Sequence, residues 1–232
     1  MGGYTLAYHA HTIAPDRKST MTRRLRALTL ADLDRLPTGC GSCAFWESEK
    51  RLERRCASAS DAEGMREWYL RVTGEWGDCG RVAYEDDEVL GFIKYAPSGY
   101  FPQAATFAAH PLDQSVPLLA CLHIAPEARH RGLGSVLLRA ALRDLAGRGE
   151  RRVEAFAAAQ KAAVLDESPV LGLEFLLRNG FTVSRPDPEY PLLKLDVRSL
   201  ALFTENLESV LESLKFPLRV PKRAPASWMN GR

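Results

Sequence analysis

The chain has 232 residues, 46% of them apolar and 26% charged, and its formal net charge at pH 7 is only +2. This length and composition suffice for one compact domain with a full hydrophobic core, and so small a net charge creates no overall field that would draw the protein to nucleic acid. No apolar stretch is long enough to span a bilayer and the N-terminus lacks an apolar signal core, so we expect neither a membrane segment nor secretion, and place the protein in the cytoplasm.

The chain opens with residues 1–20, which show no hydrophobic periodicity and are expected to form a disordered extension. A single domain is predicted to follow over residues 21–198. It begins with a strand at Arg24–Thr29 and a helix at Leu30–Leu36, and a second helix covers Met65–Val72.

Two cysteines, Cys40 and Cys43, form a Cys-Gly-Ser-Cys motif between those two helices. A zinc site needs about four ligands, and no second Cys-x-x-Cys or His-x-x-x-His motif accompanies this pair. A redox pair would be expected at the end of a strand that opens a helix. We therefore interpret both cysteines as small buried side chains and expect no bound metal.

A hairpin follows at Gly80–Tyr95, where β-branched and aromatic residues occupy two arms on either side of an acidic turn at Glu85–Glu88. The most informative segment comes next, at Leu118–Leu142. There an apolar strand runs into Arg-His-Arg-Gly-Leu-Gly, and an amphipathic helix starts at once.

A strand that turns through glycines into a helix N-terminus presents unpaired backbone N–H groups, which the helix dipole reinforces. Arginine side chains add positive charge, and the glycines let an anion approach the main chain. The turn lacks the Lys-Ser/Thr of a nucleoside-triphosphate loop and the third glycine of a dinucleotide fingerprint. It nevertheless predicts a phosphate site, which comprises Arg129, Arg131, Gly132, Leu133, Gly134 and Ser135.

Three further elements complete the domain: a strand at Arg152–Ala158, a helix at about Pro169–Arg178 that Asn179-Gly180 stops, and a strand at Pro191–Val197. Residues 199–232 are predicted to form a C-terminal helix and a basic tail. The apolar stripe of Ser199–Lys215 must be buried, either against its own domain or against a second subunit in a homodimer.

The segment Leu122–Leu138 resembles the acetyl-CoA signature of the GNAT acyltransferase superfamily, because Arg-x-x-Gly-x-Gly follows a strand that ends in Leu-x-Ile-x-Pro-Glu. The resemblance spans about Arg24–Val197. It implies an α/β fold with a mixed, mostly antiparallel sheet flanked by helices, and acetyl-CoA as co-substrate. It also implies that main-chain N–H groups at Leu122 and Ile124 polarise the thioester carbonyl.

The same resemblance leaves the general acid and base unassigned. Many members place a tyrosine four residues before the glycine of a Gly-Phe pair, and that position is Leu176 here. A carboxylate or histidine base often precedes the Leu-x-Ile segment, but Leu118–Ala120 are apolar.

His123 is the first candidate for catalysis, because it is the titratable group of the fourth strand and its imidazole can exchange protons near neutral pH. A packed core histidine is the alternative. The resemblance also places Cys40–Glu47 in the wall of the acceptor pocket. Trp46 would offer this pocket a flat apolar face, and a buried aromatic is its alternative. Glu47 is the second candidate, as the carboxylate that receives a cationic amine, and a surface acid is its alternative. The remaining, less favoured candidates for a general acid or base are His110, Tyr84, Tyr95 and Tyr100.

These features predict an N-acetyltransferase that moves an acetyl group from acetyl-CoA directly to an amine of a small molecule or a peptide. The alternative is a non-catalytic acyl-CoA-binding module that acts through a protein partner. Nucleic-acid binding through the basic runs Arg51–Arg55 and Arg148–Arg152 is not expected, since most such runs are solvated faces.

Overall fold

The computed structural model describes residues 22–50, 61–159, 169–199, 210, 213 and 214. The strands are β1 (Arg23–Ala27), β2 (Gly80–Glu85), β3 (Glu88–Pro97), β4 (Pro117–Ile124), β5 (Arg152–Ala158), β6 (Leu171–Gly172), β7 (Thr182–Arg185) and β8 (Leu192–Asp196). The α-helices are α1 (Ala62–Glu75), α2 (Leu133–Gly147) and α3 (Leu173–Arg178).

One sheet carries all these strands in the order β1-β2-β3-β4-β5-β8-β7, and β6 pairs with β5 beside that path. β1 to β4 form an antiparallel meander, β5 pairs antiparallel with β8, and β8 with β7. Only β4–β5 and β5–β6 are parallel among the described strand pairs. The predicted mixed, mostly antiparallel sheet is confirmed.

The two central parallel strands stay together only near their beginnings. Leu118 of β4 is in register with Glu154 of β5, and the described residues show no further registered pair between them. The strands therefore separate towards Ile124 and Ala158, and the two-residue strand β6 pairs with the free end of β5. This separation opens an edge of β4 at the point where the phosphate turn begins.

Apolar side chains cover both faces of the sheet, because successive strand residues point to opposite sides. On one face an aromatic cluster packs with α1 and includes Trp46, Trp68, Phe92, Phe107 and Phe156. On the other face α2 buries its apolar stripe, including Leu137, Leu138, Ala141 and Leu145, against β2, β3 and β4. Burial of the α2 stripe fixes the helix start next to the end of β4.

A polar anchor also holds α2 to the sheet. The carboxylate of Asp144 accepts two hydrogen bonds from the guanidinium of Arg81, both at 2.5 Å, and one from the hydroxyl of Tyr95, also at 2.5 Å.

The predicted positions of the first strand, the hairpin, α2 and β5 agree with the structure. The helix predicted at Leu30–Leu36 is a 3-10 helix over Leu30–Arg35.

The largest difference concerns the helix predicted at 169–178. It begins only at Leu173, because Leu171 and Gly172 extend and pair with β5. The short strand β7 was not predicted. Among the described residues no helix is both long and apolar enough to cross a bilayer.

Two predicted segments lie largely outside the described residues. The N-terminal extension is not described, and of the C-terminal helix the structure describes Val210, Ser213 and Leu214. Val210 and Leu214 pack against the α2 side of the core, and the guanidinium of Arg23 donates to the carbonyl of Leu214. These contacts place the end of the stripe against its own domain.

Candidate functional site

The turn between β4 and α2 reverses the chain within a few residues. His130 and Gly132 both have left-handed backbones, with φ of 59° and 85°. Gly132 immediately precedes α2, and a glycine adopts this conformation without the steric strain that a side chain would bring. The N–H groups of Leu133 and Gly134 then lie in the first helical turn, where no intrahelical acceptor exists. The predicted anion-binding geometry is thus present in the backbone.

Arg129 ties this turn to the preceding strand. Its Nε donates to the carbonyl oxygen of Ile124 over 3.0 Å. The bond holds the guanidinium beside the end of β4, so its positive charge adds to that of the helix N-terminus.

A cleft of about 600 Å³ runs from the turn along the separated edge of β4. Its lining residues are Leu122, His123, Ile124, Arg129, His130, Gly132, Gly134, Ser135, Arg139, Val170, Leu171, Gly172, Phe175, Arg178 and Asn179. Six of the eight predicted donor-binding residues are among them. Arg131 and Leu133 are not in this lining, and the side chain of Leu133 is buried in the core.

The cleft is lined by both apolar and basic side chains. A Cβ at Gly134 would lie 3.4 Å from the ring of Phe175 and 3.6 Å from a methyl group of Leu122, so this glycine keeps the channel open. Leu122, Ile124 and Phe175 contribute apolar side chains to the lining, and three arginines, Arg129, Arg139 and Arg178, contribute positive charge. The lining therefore combines apolar side chains with basic ones.

His123 lies where the cleft meets the opposite face of the sheet. Its side chain points away from Leu122 and Ile124, as strand alternation predicts, and the residue is 8% exposed. The imidazole stacks on Phe92 with ring centroids 5.8 Å apart and an interplanar angle of 16°. His123 is thus both a packed residue and a lining residue of the cleft.

Glu47 is neither a surface acid nor a lining residue of the cleft. Its Oε1 lies 2.5 Å from Nζ of Lys94, and the two side chains are 4% and 2% exposed. Burial alone would lower the pKa of Lys94, but the carboxylate of Glu47 outweighs it and raises that pKa above its ordinary value. The other oxygen, Oε2, is buried without a hydrogen-bond partner among the described residues.

The segment before Glu47 is held in the core. Trp46 is 1% exposed, stacks on Phe107 at 5.4 Å, and donates from Nε1 to the carbonyl of Pro169 over 2.9 Å. Of the two alternatives for Trp46, the structure therefore favours the buried aromatic, because surrounding aromatic rings cover its face. Cys40 and Cys43 are buried, as predicted.

Phe175 and Arg178 of α3 line the cleft, whereas Leu176 is fully buried against α2 and the sheet. Substitution at Leu176 would therefore change the core and not the cleft. The sequence spacing missed this because the direction of so short a helix depends on how β6 docks.

None of the remaining candidates lines the cleft: His110 is exposed outside it, and the three tyrosines bond to other groups. The hydroxyl of Tyr84 donates to Asp32, that of Tyr95 to Asp144, and that of Tyr100 to Glu75. Burial together with Asp32 raises the pKa of Tyr84 to about 12. Among the described residues no group of three or more His, Cys, Asp or Glu side chains is arranged to hold a metal ion.

Three solved structures share this fold at identities that show the fold alone. The yncA protein of Salmonella typhimurium, solved with its cofactor acetyl-CoA, is 17% identical with a TM-score of 0.52 over 76% of this chain and 94% of its own. A ribosomal-protein-alanine N-acetyltransferase of Brucella melitensis is 19% identical, with a TM-score of 0.50 over 75% and 99%. An N-acetyltransferase of Staphylococcus aureus is 14% identical, with a TM-score of 0.50 over 76% and 99%.

Comparison with curated protein sequences gave no match. The family model described as acetyltransferase (GNAT) family matches residues 43–165, which is more than half of the chain and contains β2 to β5, the phosphate turn and α2. The chain therefore belongs to the GNAT acetyltransferase family.

Proposed function

We propose that the protein transfers an acetyl group from acetyl-CoA to an amine of a small molecule or a peptide. The observation that carries this proposal is the continuity of one cleft, which joins an anion-binding turn to the edge of β4 where β5 has separated. Membership of the GNAT family and the geometry of the cleft together support the proposal.

The donor is bound at its two ends. The pyrophosphate of CoA accepts hydrogen bonds from the N–H groups at the start of α2, with Arg129 and Arg131 as nearby positive charges. The thioester lies along Leu122–Ile124, where main-chain N–H groups on the open edge of β4 stabilise the charge that develops on the carbonyl oxygen.

The reaction joins the amine nitrogen to the carbonyl carbon and breaks the C–S bond. One proton leaves the nitrogen and one reaches the CoA thiolate. His123 is the titratable side chain that the cleft presents near the separated strands, and its imidazole takes the proton from the amine in this proposal.

Glu47 remains the second candidate. Lys94 already compensates its charge, so attraction of a cationic acceptor is weaker than for an isolated carboxylate. The buried Oε2 of Glu47 is still able to accept a hydrogen bond from the amine of a substrate that reaches it. In this role Glu47 would position the amine, with Lys94 holding the carboxylate in place.

A non-catalytic acyl-CoA-binding module is the second candidate function. Phe175 faces the cleft at the part of α3 from which many members of the family supply a phenol. The lack of a hydroxyl at that side chain slows transfer or leaves binding alone.

Calorimetry with acetyl-CoA and turnover against a panel of amines separate the two functions. Gly134→Glu should abolish acetyl-CoA binding, because it places a negative side chain in the channel beside Phe175 and Leu122. Gly74→Glu is the matched control, since a Cβ at that position of α1 meets no atom within 4 Å. Unchanged affinity in Gly134→Glu overturns the donor site, and binding without turnover of any amine favours the module.

A further inference from the structure

Two arginines line the cleft beyond the phosphate turn. Arg139 lies on α2 one helical turn after Ser135, and Arg178 is the last residue of α3. Residues four apart on a helix share a face, so Ser135 and Arg139 point into the same cleft about 6 Å apart along the axis. Asn179, next to Arg178, also lines it.

These arginines are separate from the groups that form the turn. The turn already has the N-terminus of α2 and Arg129, whose Nε is bonded to Ile124. Arg139 and Arg178 approach the cleft from two other points, one further along α2 and one at the end of α3. No acidic side chain occurs among the described residues that line the cleft, so its three arginines, Arg129, Arg139 and Arg178, favour the binding of anions.

We infer that Arg139 and Arg178 form a second anion site, which binds the 3′-phosphate on the ribose of CoA. This inference rests on the proposed function and adds a donor preference to it. A phosphate monoester is the remaining anionic group of the donor once the turn holds the pyrophosphate. The guanidinium group matches it, because its planar N–H donors bind phosphate oxygens in pairs. The site makes the cleft selective for CoA thioesters over thioesters that lack this phosphate.

The direct test compares acetyl-CoA with acetyl-3′-dephospho-CoA, which lacks only that phosphate, by calorimetry on the wild-type protein. Hydrogen bonds between charged partners predict that acetyl-CoA binds at least about tenfold more tightly. This comparison needs no variant, so it holds even if a substitution impairs folding. Equal affinity for the two donors overturns the inference and leaves the proposed function standing, whereas failure of both donors to bind overturns the proposed function.

Variants assign the preference to the two side chains. In Arg139→Met with Arg178→Met, the affinity for acetyl-CoA should fall to that for acetyl-3′-dephospho-CoA, while the affinity for the dephospho donor stays nearly constant. Arg143→Met is the matched control, because Arg143 is an exposed arginine of α2 outside the cleft lining and its loss should leave the preference intact. An equal loss of affinity for both donors in the double variant would show a general field effect and overturn the assignment.

Discussion

Nζ of Lys94 on β3 lies 2.5 Å from Oε1 of Glu47, and this ion pair is almost completely buried. Lys94 also lies 5.1 Å from the centre of the Trp68 ring on α1. The pair therefore fixes the segment that ends at Glu47 between the sheet and α1. It changes what a substitution at Glu47 can report, because the carboxylate supports the fold as well as the proposed acceptor side.

We expect Glu47→Gln to destabilise the protein by about 3–5 kcal/mol, because it leaves the Lys94 ammonium buried without its counter-charge. Denaturant unfolding measures this. Lys94→Met combined with Glu47→Gln should recover part of the loss, since no uncompensated charge remains. If Glu47→Gln instead leaves stability unchanged and raises only the KM for an amine, Glu47 acts on the acceptor and the ion pair is dispensable.

Phe175→Tyr should place a phenol in the cleft and increase the single-turnover rate of acetyl transfer, by up to about a hundredfold where proton delivery to the thiolate limits it. Leu176→Tyr should instead lose about 1–3 kcal/mol of stability, because the larger ring overpacks a filled core. Pre-steady-state kinetics and denaturant unfolding of both variants distinguish the positions. Faster transfer in a stable Leu176→Tyr protein would contradict the placement of α3.

His123→Gln should lower kcat/KM by at least about a hundredfold if the imidazole carries the amine proton, with little change in the Kd for acetyl-CoA. His130→Gln is the control, because His130 lines the same cleft at the turn, away from β4. Steady-state kinetics and calorimetry on both variants test this. Equal, small losses of activity would show that His123 serves packing against Phe92 alone.

Tyr84 gives the protein a defined sensitivity to alkali. Its hydroxyl donates to Asp32, and burial with that carboxylate raises its pKa to about 12. In the unfolded chain a tyrosine ionises at a pH of about 10. Between that pH and about 12, the phenol ionises in the unfolded chain but not in the folded protein, so a rising pH favours unfolding. The contribution of Tyr84 to stability is therefore complete below this window and is lost as pH rises through it.

Tyr84→Phe should accordingly show a smaller fall in the free energy of unfolding than the wild type when the pH rises from about 9 to about 11.5. Guanidinium unfolding at several pH values measures the two slopes. Parallel slopes would mean that the Tyr84 phenol ionises equally in the folded and unfolded states.

The phosphate turn could be predicted from the sequence because all its parts are neighbours in the chain. The apolar strand, Arg129, the two glycines and the start of α2 follow one another, and short-range sterics and hydrogen bonding determine how such a segment bends. The hairpin of β2 and β3 and the helix α2 were predictable for the same reason, since the hydrophobic period of each is local.

The tertiary structure decided which side chains surround that turn. Glu47 and Lys94 are 47 residues apart, Trp46 bonds to Pro169 across 123 residues, and β6 pairs with the end of β5 that has separated from β4. These contacts determine that Glu47 is buried, that Phe175 and not Leu176 faces the cleft, and that Arg139 and Arg178 line it together. Such pairings depend on the packing of distant segments and on the orientation of short helices, and local sequence patterns do not contain that information.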